Sequence, residues 1–394
     1  MKRIRLWKLK RELRRALPKT LETLAEPFRY LTFVPLYDFR KSRLMRVTQG
    51  ALPQGREIAV YLIFAPDGVQ GSHLHMLSEL ARAGISPLVV SNLPLSDADR
   101  ASLCACAWRV IERPNVGYDF GGYRDGILSI ADLLPTLDRL WILNDSAWLV
   151  DQTPSWFDEA RAMGRDFAGS VSNYGIAKID IQDHTEIVWQ FNPAHRKFHY
   201  VSNGWCISAA ILRDPAFLRF WKRLQIRHSK QLTVRRGEIG FSQWVIRRGF
   251  SHGATLEIDR LDAELAALDP ARLDEVARHL MIIDVGFEPV KAAVLALDPA
   301  TETGRRARIT LCLTAVARFG TIIAMPFYNQ RFRRLPFFKK SVFSGSPQTV
   351  QIALDTLAIL PGENGHMILS EARALAQARG KLASQPEDAP PVTG

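Results

Sequence analysis

The chain has 394 residues, which is enough for two domains or for one large domain with extensions. Hydrophobic residues make up 47% and charged residues 23%, an ordinary composition for a packed protein, which argues against a largely disordered chain. The formal net charge is +12, and it is unevenly placed. The first 46 residues carry fourteen Lys or Arg against four acidic residues, so ten of the twelve net charges lie in an N-terminal arm.

This basic arm, residues 1–50, begins with the pattern of a cationic amphipathic helix over residues 2–17. Leucines recur there at steps of three and four beside Trp7, and basic residues fill the other face. Such a helix binds an anionic membrane, with apolar side chains in the interface and basic ones over the headgroups. Packing on the body of the same protein is an equal alternative. Nucleic acid binding ranks last, because aromatic residues are not interleaved through a basic body.

The cysteines and the most apolar stretch indicate a cytosolic protein. None of the four cysteines forms a CxxC pair, and Cys104 and Cys106 lack a second ligand pair at zinc-site spacing. We interpret them as reduced thiols. The start is too charged for a signal peptide, and residues 309–328 are interrupted by Arg318, so we expect buried core there rather than a transmembrane helix.

From residue 57 onward, strand patterns alternate with helix patterns. This alternation predicts an α/β fold whose mostly parallel sheet has helices on both faces, over residues 51–265. We expect a mainly helical C-terminal extension over residues 266–383 and a disordered, Pro- and Gly-rich tail over 384–394. The predicted strands are 58–64, 87–91, 107–111, 140–143, 167–170 and 200–207, with a later strand at 281–285.

Polar residues follow the predicted strands. Asp67 and Asn92 follow the first two, Asn115 the third, and Asn144, Asp145 and Ser146 end the fourth. Open α/β sheets bind ligands at this edge. Either motif alone is more simply a turn, but the two together favour a ligand site.

The loop after the third strand is rich in glycine. Gly117 lets the backbone approach a bulky group, and a helix predicted over 123–134 starts just behind it, so a phosphate-bearing ligand is the natural candidate. Arg113 and Arg124 flank this loop and are either phosphate partners or surface charges. His73 and His75 form a candidate metal pair, although a solvated helix start is the favoured interpretation.

Four motifs resemble the rhamnan synthesis protein F family, bacterial glycosyltransferase-like proteins of cell-surface polysaccharide assembly. They are Asn115-Val-Gly-Tyr-Asp119, Asn144-Asp-Ser146, Ser202-Asn-Gly-Trp205 and Leu335-Pro-Phe-Phe-Lys-Lys340. The likeness covers residues 57–260 well and 320–345 loosely. It implies a GT-A-like fold and transfer of a sugar from a nucleotide-activated donor, dTDP-L-rhamnose, to a lipid-linked glycan at the inner face of the cytoplasmic membrane.

Sugar transfer from a nucleoside diphosphate needs charge neutralisation at the diphosphate and a base for the acceptor hydroxyl. GT-A enzymes usually carry an Asp-x-Asp motif, whereas the similar position here has one carboxylate. Asp145 is the candidate ligand for Mg²⁺ or Mn²⁺, with Asn144 and Ser146 as neutral partners. Asp119 is either a second carboxylate ligand or a contact to the sugar or nucleotide.

The resemblance also suggests the remaining site residues. Glu238 is the candidate base, or an acidic residue favoured at a helix start by the dipole. Asp67 and Asn92 would contact the nucleotide base and ribose, or are turn residues. Asn203 and Trp205 would line the sugar or acceptor pocket, with a buried core role for Trp205 as the equal alternative.

A second class of function stays open at this point. Because the acidic motif is incomplete, the protein could instead be a non-catalytic sugar- or nucleotide-binding module of a polysaccharide assembly system.

Overall fold

The computed structural model describes residues 35–382, apart from 42, 174–175, 177–178, 227–231 and 234. The expected amphipathic helix over 2–17 and the expected tail over 384–394 therefore lie outside the described residues. The end of the N-terminal arm is described: residues 35–41 are helical, and the next strand joins the main sheet. The described strands are β1 (Arg46–Gln49), β2 (Glu57–Ile63), β3 (Ser86–Ser91), β4 (Arg109–Glu112), β5 (Arg139–Asn144), β6 (Ala147–Leu149), β7 (Phe167–Asn173), β8 (His199–Tyr200), β9 (Gly204–Ser208), β10 (His252–Leu256) and β11 (Phe337–Lys339).

The helices lie mostly between these strands and after β10. Short 3₁₀ turns occur at several loops, and a π-helical turn, Arg235–Ile239, precedes one helix. From residue 71 onward the main α-helices are α1 (Gly71–Arg82), α2 (Asp97–Cys106), α3 (Tyr118–Leu128), α4 (Trp156–Ala162), α5 (Ala209–Leu212), α6 (Pro215–Arg223), α7 (Gly240–Arg247), α8 (Leu261–Ala267), α9 (Pro270–Arg278), α10 (Glu288–Ala296), α11 (Glu302–Phe319), α12 (Thr321–Ala324), α13 (Pro326–Arg333), α14 (Pro347–Ala358) and α15 (Gly362–Ala378).

The main sheet has the order β1-β4-β3-β2-β5-β9-β7-β10, with β8 added to β7. Strands β4, β3, β2 and β5 are parallel neighbours, as are β7 and β10. Strand β9 runs antiparallel to both β5 and β7, and β1 runs antiparallel to β4. The carboxyl ends of β2 to β5 therefore meet at one edge, where the predicted polar residues follow them.

Helices cover both faces of this sheet. Across the sheet, β3 and β4 follow β2 on one side, and β5 lies on the other side of β2. Right-handed connections therefore put α1 and α2 on one face of the sheet and α3 on the other. Helix α3 lies very close to β2: a Cβ added at Gly122 would lie 2.2 Å from Leu62 Cδ1, and one at Gly126 2.7 Å from Val60 Cγ1. Buried on both sides, these strands are almost entirely apolar, as parallel strands are. The predicted α/β class is confirmed.

Three predicted elements differ from the structure. Helix α3 begins at Tyr118, five residues before the predicted start, because Gly117 with φ of +81° serves as its N-cap. The predicted strand over 200–207 is divided into β8 and β9 by a turn at residues 201–203. Both strands pair antiparallel with β7, and the chain bulges between them because residues 201–204 lie opposite only residues 170–171. Residues 281–284 form no strand, because their apolar side chains pack between helices instead.

The C-terminal extension is mainly helical, as expected, and packs on the sheet domain. Helices α8 to α13 share one continuous apolar core with the sheet. A second core, centred on Trp148 and Phe338, joins α14 and α15 to β6 and β11. The predicted boundary at residue 265 stays a prediction. Within the described residues, no helix is long and apolar enough to cross a bilayer, and α11 is largely buried in protein core.

Candidate functional site

The end of β5 is built as a small hydrogen-bonded turn. Asn144 is buried, and its Nδ2 donates to Tyr123 Oη at 2.7 Å and to the Ser202 carbonyl at 3.3 Å. Its Oδ1 accepts from the Ser146 backbone N–H at 3.2 Å and from the Ser146 hydroxyl. Both ends of the Asn144 amide are therefore used within the protein. The side chain fixes the chain direction after β5 rather than facing a ligand.

Asp145 is the carboxylate that this turn presents at the sheet edge. Its Oδ2 accepts the Phe64 N–H at 2.6 Å, and His73 Nε2 lies 3.4 Å from the same oxygen. His73 Nδ1 accepts the Gln70 N–H at 2.9 Å, so its proton in the neutral form is on Nε2, toward Asp145. The carboxylate is thus oriented by β2 and α1. With its side chain 15% exposed, it remains accessible to solvent.

Glu238 lies in the π-helical turn directly before α7. Its Oε1 accepts the Ser202 N–H at 2.7 Å, and its Oε2 lies 3.7 Å from His199 Nε2. A Cβ added at Gly237 would lie 2.2 Å from the Phe120 ring, so this turn packs directly on α3. π-Helical insertions are frequent at functional sites because they reorient side chains. Here the turn directs a carboxylate at the loop between β8 and β9.

Tyr123 connects the two halves of the site. Its hydroxyl donates to the Ser202 carbonyl at 2.9 Å while accepting from Asn144, so Glu238, Ser202, Tyr123 and Asn144 form one chain of hydrogen bonds. Burial raises the pKa of Tyr123 well above its usual range, and the charges of Asp119, Glu238 and Asp145 raise it further. The three predicted carboxylates therefore all lie near this buried hydroxyl.

The glycine loop supports the packing of α3 and exposes its polar residues. A Cβ added at Gly117 would lie 1.7 Å from Ile226 Cγ2, so this position needs glycine for close approach as well as for its positive φ. Asn115 and Asp119 are exposed on either side of it, Asp119 in the first turn of α3. Asp67 is likewise exposed, in the turn after β2. All three remain accessible to a ligand at the sheet edge.

The two arginines that flank the loop do not face solvent. Arg113 is buried, and its guanidinium donates to Asp125 Oδ2 at 2.7 Å, to Asn92 Oδ1 and to the Val116 carbonyl. Arg124 is also buried and donates to both oxygens of Asp38, at 2.8 and 2.6 Å. Neither is placed as a phosphate partner or as a surface charge. They are structural ion pairs under the loop.

Two other predicted contacts are also enclosed. Asn92 is buried and its Oδ1 is engaged by Arg113, so its side chain braces the loop after β4. Trp205 is fully buried, with its ring against Phe120, Phe167 and Phe241. It offers no free face to a sugar, and its role is core packing.

Asn203 differs from Trp205 although the two are close in sequence. It is fully buried, and its Oδ1 accepts the Ser170 hydroxyl at 3.2 Å. Its Nδ2 has no hydrogen-bond partner among the described residues. A buried amide left in this state usually meets an ordered water or a ligand. Asn203 therefore stays a candidate for a polar contact inside the site.

Sequence reasoning missed the placement of one histidine and two lysines at the same edge. His73 is 2% exposed, so the favoured interpretation of a solvated helix start is wrong: α1 turns this ring inward to Asp145. Lys339 Nζ donates to Ser146 Oγ at 2.7 Å. Burial lowers the pKa of Lys340, while the nearby charges of Asp145 and Glu371 raise it. The only sequence signal for the lysines was the Leu335–Lys340 motif, whose position beside β5 depends on strand pairing.

The donor set at the end of β5 is a poor one for the expected divalent cation. The oxygens of Asn144 and Ser146 are engaged with each other, and Ser146 also accepts an ammonium group. Of the several oxygen ligands that Mg²⁺ and Mn²⁺ take, the turn supplies Asp145 alone, so water and donor phosphate would have to supply the others. The structure places Asp119 on α3 rather than on β5. No step of the reaction is therefore assigned to a metal at this position.

A different set of side chains could bind a cation. One ligand atom each from His75, Glu79 and Asp151 lies within 4.8 Å of the others, and His75 Nε2 is 2.9 Å from Asp151 Oδ1. His75 and Glu79 share one face of α1 because they are four residues apart. The predicted His73–His75 pair is not formed, since His73 turns to Asp145 instead.

A cavity of about 420 Å³ opens beside the π-helical turn, between α6 and α7. Its lining includes Arg219, Arg223, Arg236 and Trp244, so it combines positive charge with an aromatic surface. Arg236 belongs to the same π-helical turn as Glu238.

Comparison with known proteins gives a family match and similarities to individual proteins. An uncharacterized protein of Sinorhizobium fredii, y4gN, is 28% identical over 215 residues, which cover 54% of this chain and 52% of that protein. The chain thus spans about half the length of this curated relative. The crystal structure of a core-mannan synthase from Aspergillus fumigatus, in a Mn/GDP form, has 9% identity over 50% of this chain and 72% of its own, with a TM-score of 0.27. A likeness this low carries no argument about fold or mechanism.

The family match is more informative. The model of the rhamnan synthesis protein F family matches residues 88–286, just over half of the chain. The matched region includes the glycine loop, the end of β5, the turn between β8 and β9, and Glu238. The chain belongs to the rhamnan synthesis protein F family.

Proposed function

We propose that the protein is a glycosyltransferase that moves a sugar from a nucleotide-activated donor to a growing cell-surface polysaccharide or lipid-linked glycan. The observation that carries this proposal is the hydrogen-bonded chain from Glu238 through Ser202 and Tyr123 to Asn144, beside Asp145. It runs from one accessible carboxylate, Glu238, to the residue that precedes the other, Asp145, at the edge where open α/β sheets bind ligands. Membership of a rhamnan synthesis family supports the same chemistry.

The chemistry assigns a separate role to each carboxylate. Glu238 is the proposed base: its carboxylate would accept the proton of the acceptor hydroxyl as that oxygen bonds to the anomeric carbon. The Ser202 N–H and the π-helical turn hold it in place. Asp145, oriented by the Phe64 N–H and His73, would contact the donor, as would the exposed Asp67, Asn115 and Asp119.

For the donor and acceptor we propose dTDP-L-rhamnose and a lipid-linked glycan. The family name is the support for L-rhamnose. The arginine-lined cavity between α6 and α7 is the proposed entrance for an anionic acceptor, because its positive charge suits such a ligand and Arg236 shares the π-helical turn with Glu238. The proposed location is the inner face of the cytoplasmic membrane, where the basic arm would bind anionic lipid and hold the enzyme near its acceptor.

Donor binding is the first test. Isothermal titration calorimetry with a panel of nucleotide sugars should show one selective ligand, and Asp145→Asn should weaken it at least tenfold, about 1.4 kcal/mol. Equal, weak binding of every nucleotide sugar would contradict the proposal. A selective ligand that is bound but never turned over would favour the alternative, a non-catalytic sugar- or nucleotide-binding module.

The membrane role of the arm is tested separately. Deleting residues 1–20 should abolish sedimentation with vesicles that contain anionic lipid and leave donor binding unchanged. Unchanged sedimentation would contradict the proposed role of the arm without affecting the proposed activity.

A further inference from the structure

The C-terminal extension contributes side chains to the edge of the sheet. Strand β11 pairs antiparallel with β6, with Lys339 opposite Ala147. The next residue, Lys340, donates its backbone N–H to the Ser146 carbonyl at 3.0 Å. Because β6 directly follows the Asn144–Ser146 turn, this pairing places two consecutive lysines beside that turn. Nearly two hundred residues of sequence separate them from it.

Lys339 is attached directly to the turn. Its Nζ donates to Ser146 Oγ at 2.7 Å, and the Ser146 hydroxyl in turn donates to Asn144. The ammonium group is therefore positioned by the same hydrogen-bonded network that positions Tyr123. A cation attached to the carboxyl end of a central strand lies where open α/β sheets bind phosphorylated ligands.

Lys340 is held more deeply. Its Nζ lies over the Trp148 ring, 5.1 Å from the centroid, and within the electrostatic influence of Asp145 and Glu371. Glu371, on α15, accepts the Trp148 indole N–H at 2.8 Å and the Ser72 N–H, also at 2.8 Å. The Glu371 carboxylate thus accepts from two N–H groups, and it fixes the Trp148 ring over which the Lys340 ammonium group lies.

These contacts and the poor fit for a dication lead to one inference, which rests on the proposed glycosyltransferase function. We propose that Lys339 and Lys340 neutralise the diphosphate leaving group of the nucleotide-sugar donor. Fixed ammonium groups and bound metal ions can both stabilise charge that develops on phosphate oxygens. The C-terminal extension would then complete the active site of the sheet domain.

The step balances without a metal. The bond between the anomeric carbon and the diphosphate oxygen breaks, and its electron pair leaves with that oxygen. The two lysines stabilise the resulting negative charge. The acceptor oxygen forms the new bond to the anomeric carbon, and its proton passes to Glu238.

The test combines binding with turnover and uses the full chain. The variants are Lys339→Gln and Lys340→Gln, and Lys222→Gln, at an exposed position, is the matched control. Calorimetry with inorganic pyrophosphate in the presence of EDTA probes the lysines without a metal. The ionic strength is chosen high enough to weaken the binding of pyrophosphate by the basic arm. We expect binding by the unchanged protein and by Lys222→Gln, with at least a tenfold loss in each of the other two variants. Lys340→Arg should restore it, which a purely structural role would not require.

Turnover of the donor gives the second readout. We expect kcat to fall about 100-fold in each lysine variant with a smaller change in KM, as for other groups that stabilise a developing charge. EDTA should leave the rate of the unchanged protein intact. His75→Ala serves as the background for added metal, because His75, Glu79 and Asp151 could bind it independently.

The outcomes separate the two proposals. Absence of pyrophosphate binding in EDTA, or unchanged kcat in both lysine variants, would overturn the role of the lysines even if the donor is turned over. Loss of the rate in EDTA with recovery on adding Mn²⁺ would overturn it as well. Lysine-dependent pyrophosphate binding without turnover of any nucleotide sugar would instead overturn the proposed transferase function.

Discussion

Replacing Tyr123 by Phe tests whether the site is one connected network. The hydroxyl donates to the Ser202 carbonyl at 2.9 Å and accepts from Asn144 Nδ2 at 2.7 Å, and the residue is fully buried. Each bond contributes about 1 kcal/mol, and a buried group left without a partner costs about 1–3 kcal/mol. Asn144 Nδ2 retains its 3.3 Å contact with the Ser202 carbonyl, which offsets part of the loss. We therefore expect Tyr123→Phe to lower the free energy of unfolding by about 2 kcal/mol.

Urea denaturation followed by the fluorescence of the nine tryptophans measures this difference. Tyr200→Phe is the matched control. Tyr200 is equally buried. The one hydrogen bond described for its hydroxyl joins it to His252 Nδ1, at 2.6 Å. We expect a loss of about 1 kcal/mol for this single bond.

The two variants should differ more in activity than in stability. Because Tyr123 positions both Asn144 and Ser202, and Ser202 holds Glu238, Tyr123→Phe should reduce turnover at least tenfold while Tyr200→Phe stays near the unchanged protein. A loss below about 0.5 kcal/mol for Tyr123→Phe would refute the energetic reasoning, since each buried bond is expected to be worth more. Equal turnover in both variants would refute the connection to Glu238.

Three further predictions concern stability. Gly117→Ala should cost about 2–4 kcal/mol in a urea melt, because its Cβ would overlap Ile226 and a positive φ is unfavourable for alanine; a near-neutral result would contradict the packing. Burial lowers the pKa of Lys291 to about 8, so the folded state binds its proton less tightly than the unfolded state does. Stability should therefore rise by about 1–2 kcal/mol from pH 8 to 9.5 relative to Lys291→Met, and parallel pH profiles would exclude this. Burial raises the pKa of Asp38, but its hydrogen bonds to Arg124 outweigh this and lower it. Stability from that pair should thus be lost as the pH falls below about 4, and Arg124→Met should show a weaker acid dependence in thermal melts.

The fold was predictable because its central strands are continuous apolar runs separated by helix patterns. The helix bounds were less predictable. The start of α3 depends on Gly117 adopting a positive φ against Ile226, a contact between distant parts of the sequence. The sequence pattern predicts a strand at residues 201–203 because the neighbouring residues are apolar. The interruption follows from the pairing with β7, in which residues 201–204 lie opposite only residues 170–171.

The site was predictable in its carboxylates and not in its cations. Asp145 and Glu238 stand at ends of elements that local patterns reveal. Burial of Arg113 and Arg124 depends on Asp125 and Asp38, and the sequence pattern does not indicate which arginines will find buried partners. Lys339 and Lys340 contact Ser146 only because β11 pairs with β6, a contact that no local periodicity indicates.

Sugar transfer itself is the measurement that tests the proposed glycosyltransferase function. Nucleoside diphosphate release and sugar incorporation into a glycan acceptor would be followed for the unchanged protein, Glu238→Gln and the exposed control Glu275→Gln. We expect stoichiometric release and incorporation, with a rate at least 100-fold lower in Glu238→Gln, as on removal of a general base, and an unchanged rate in Glu275→Gln. Equal rates in all three proteins would contradict the assignment of Glu238, and absence of incorporation with any donor would contradict the transferase.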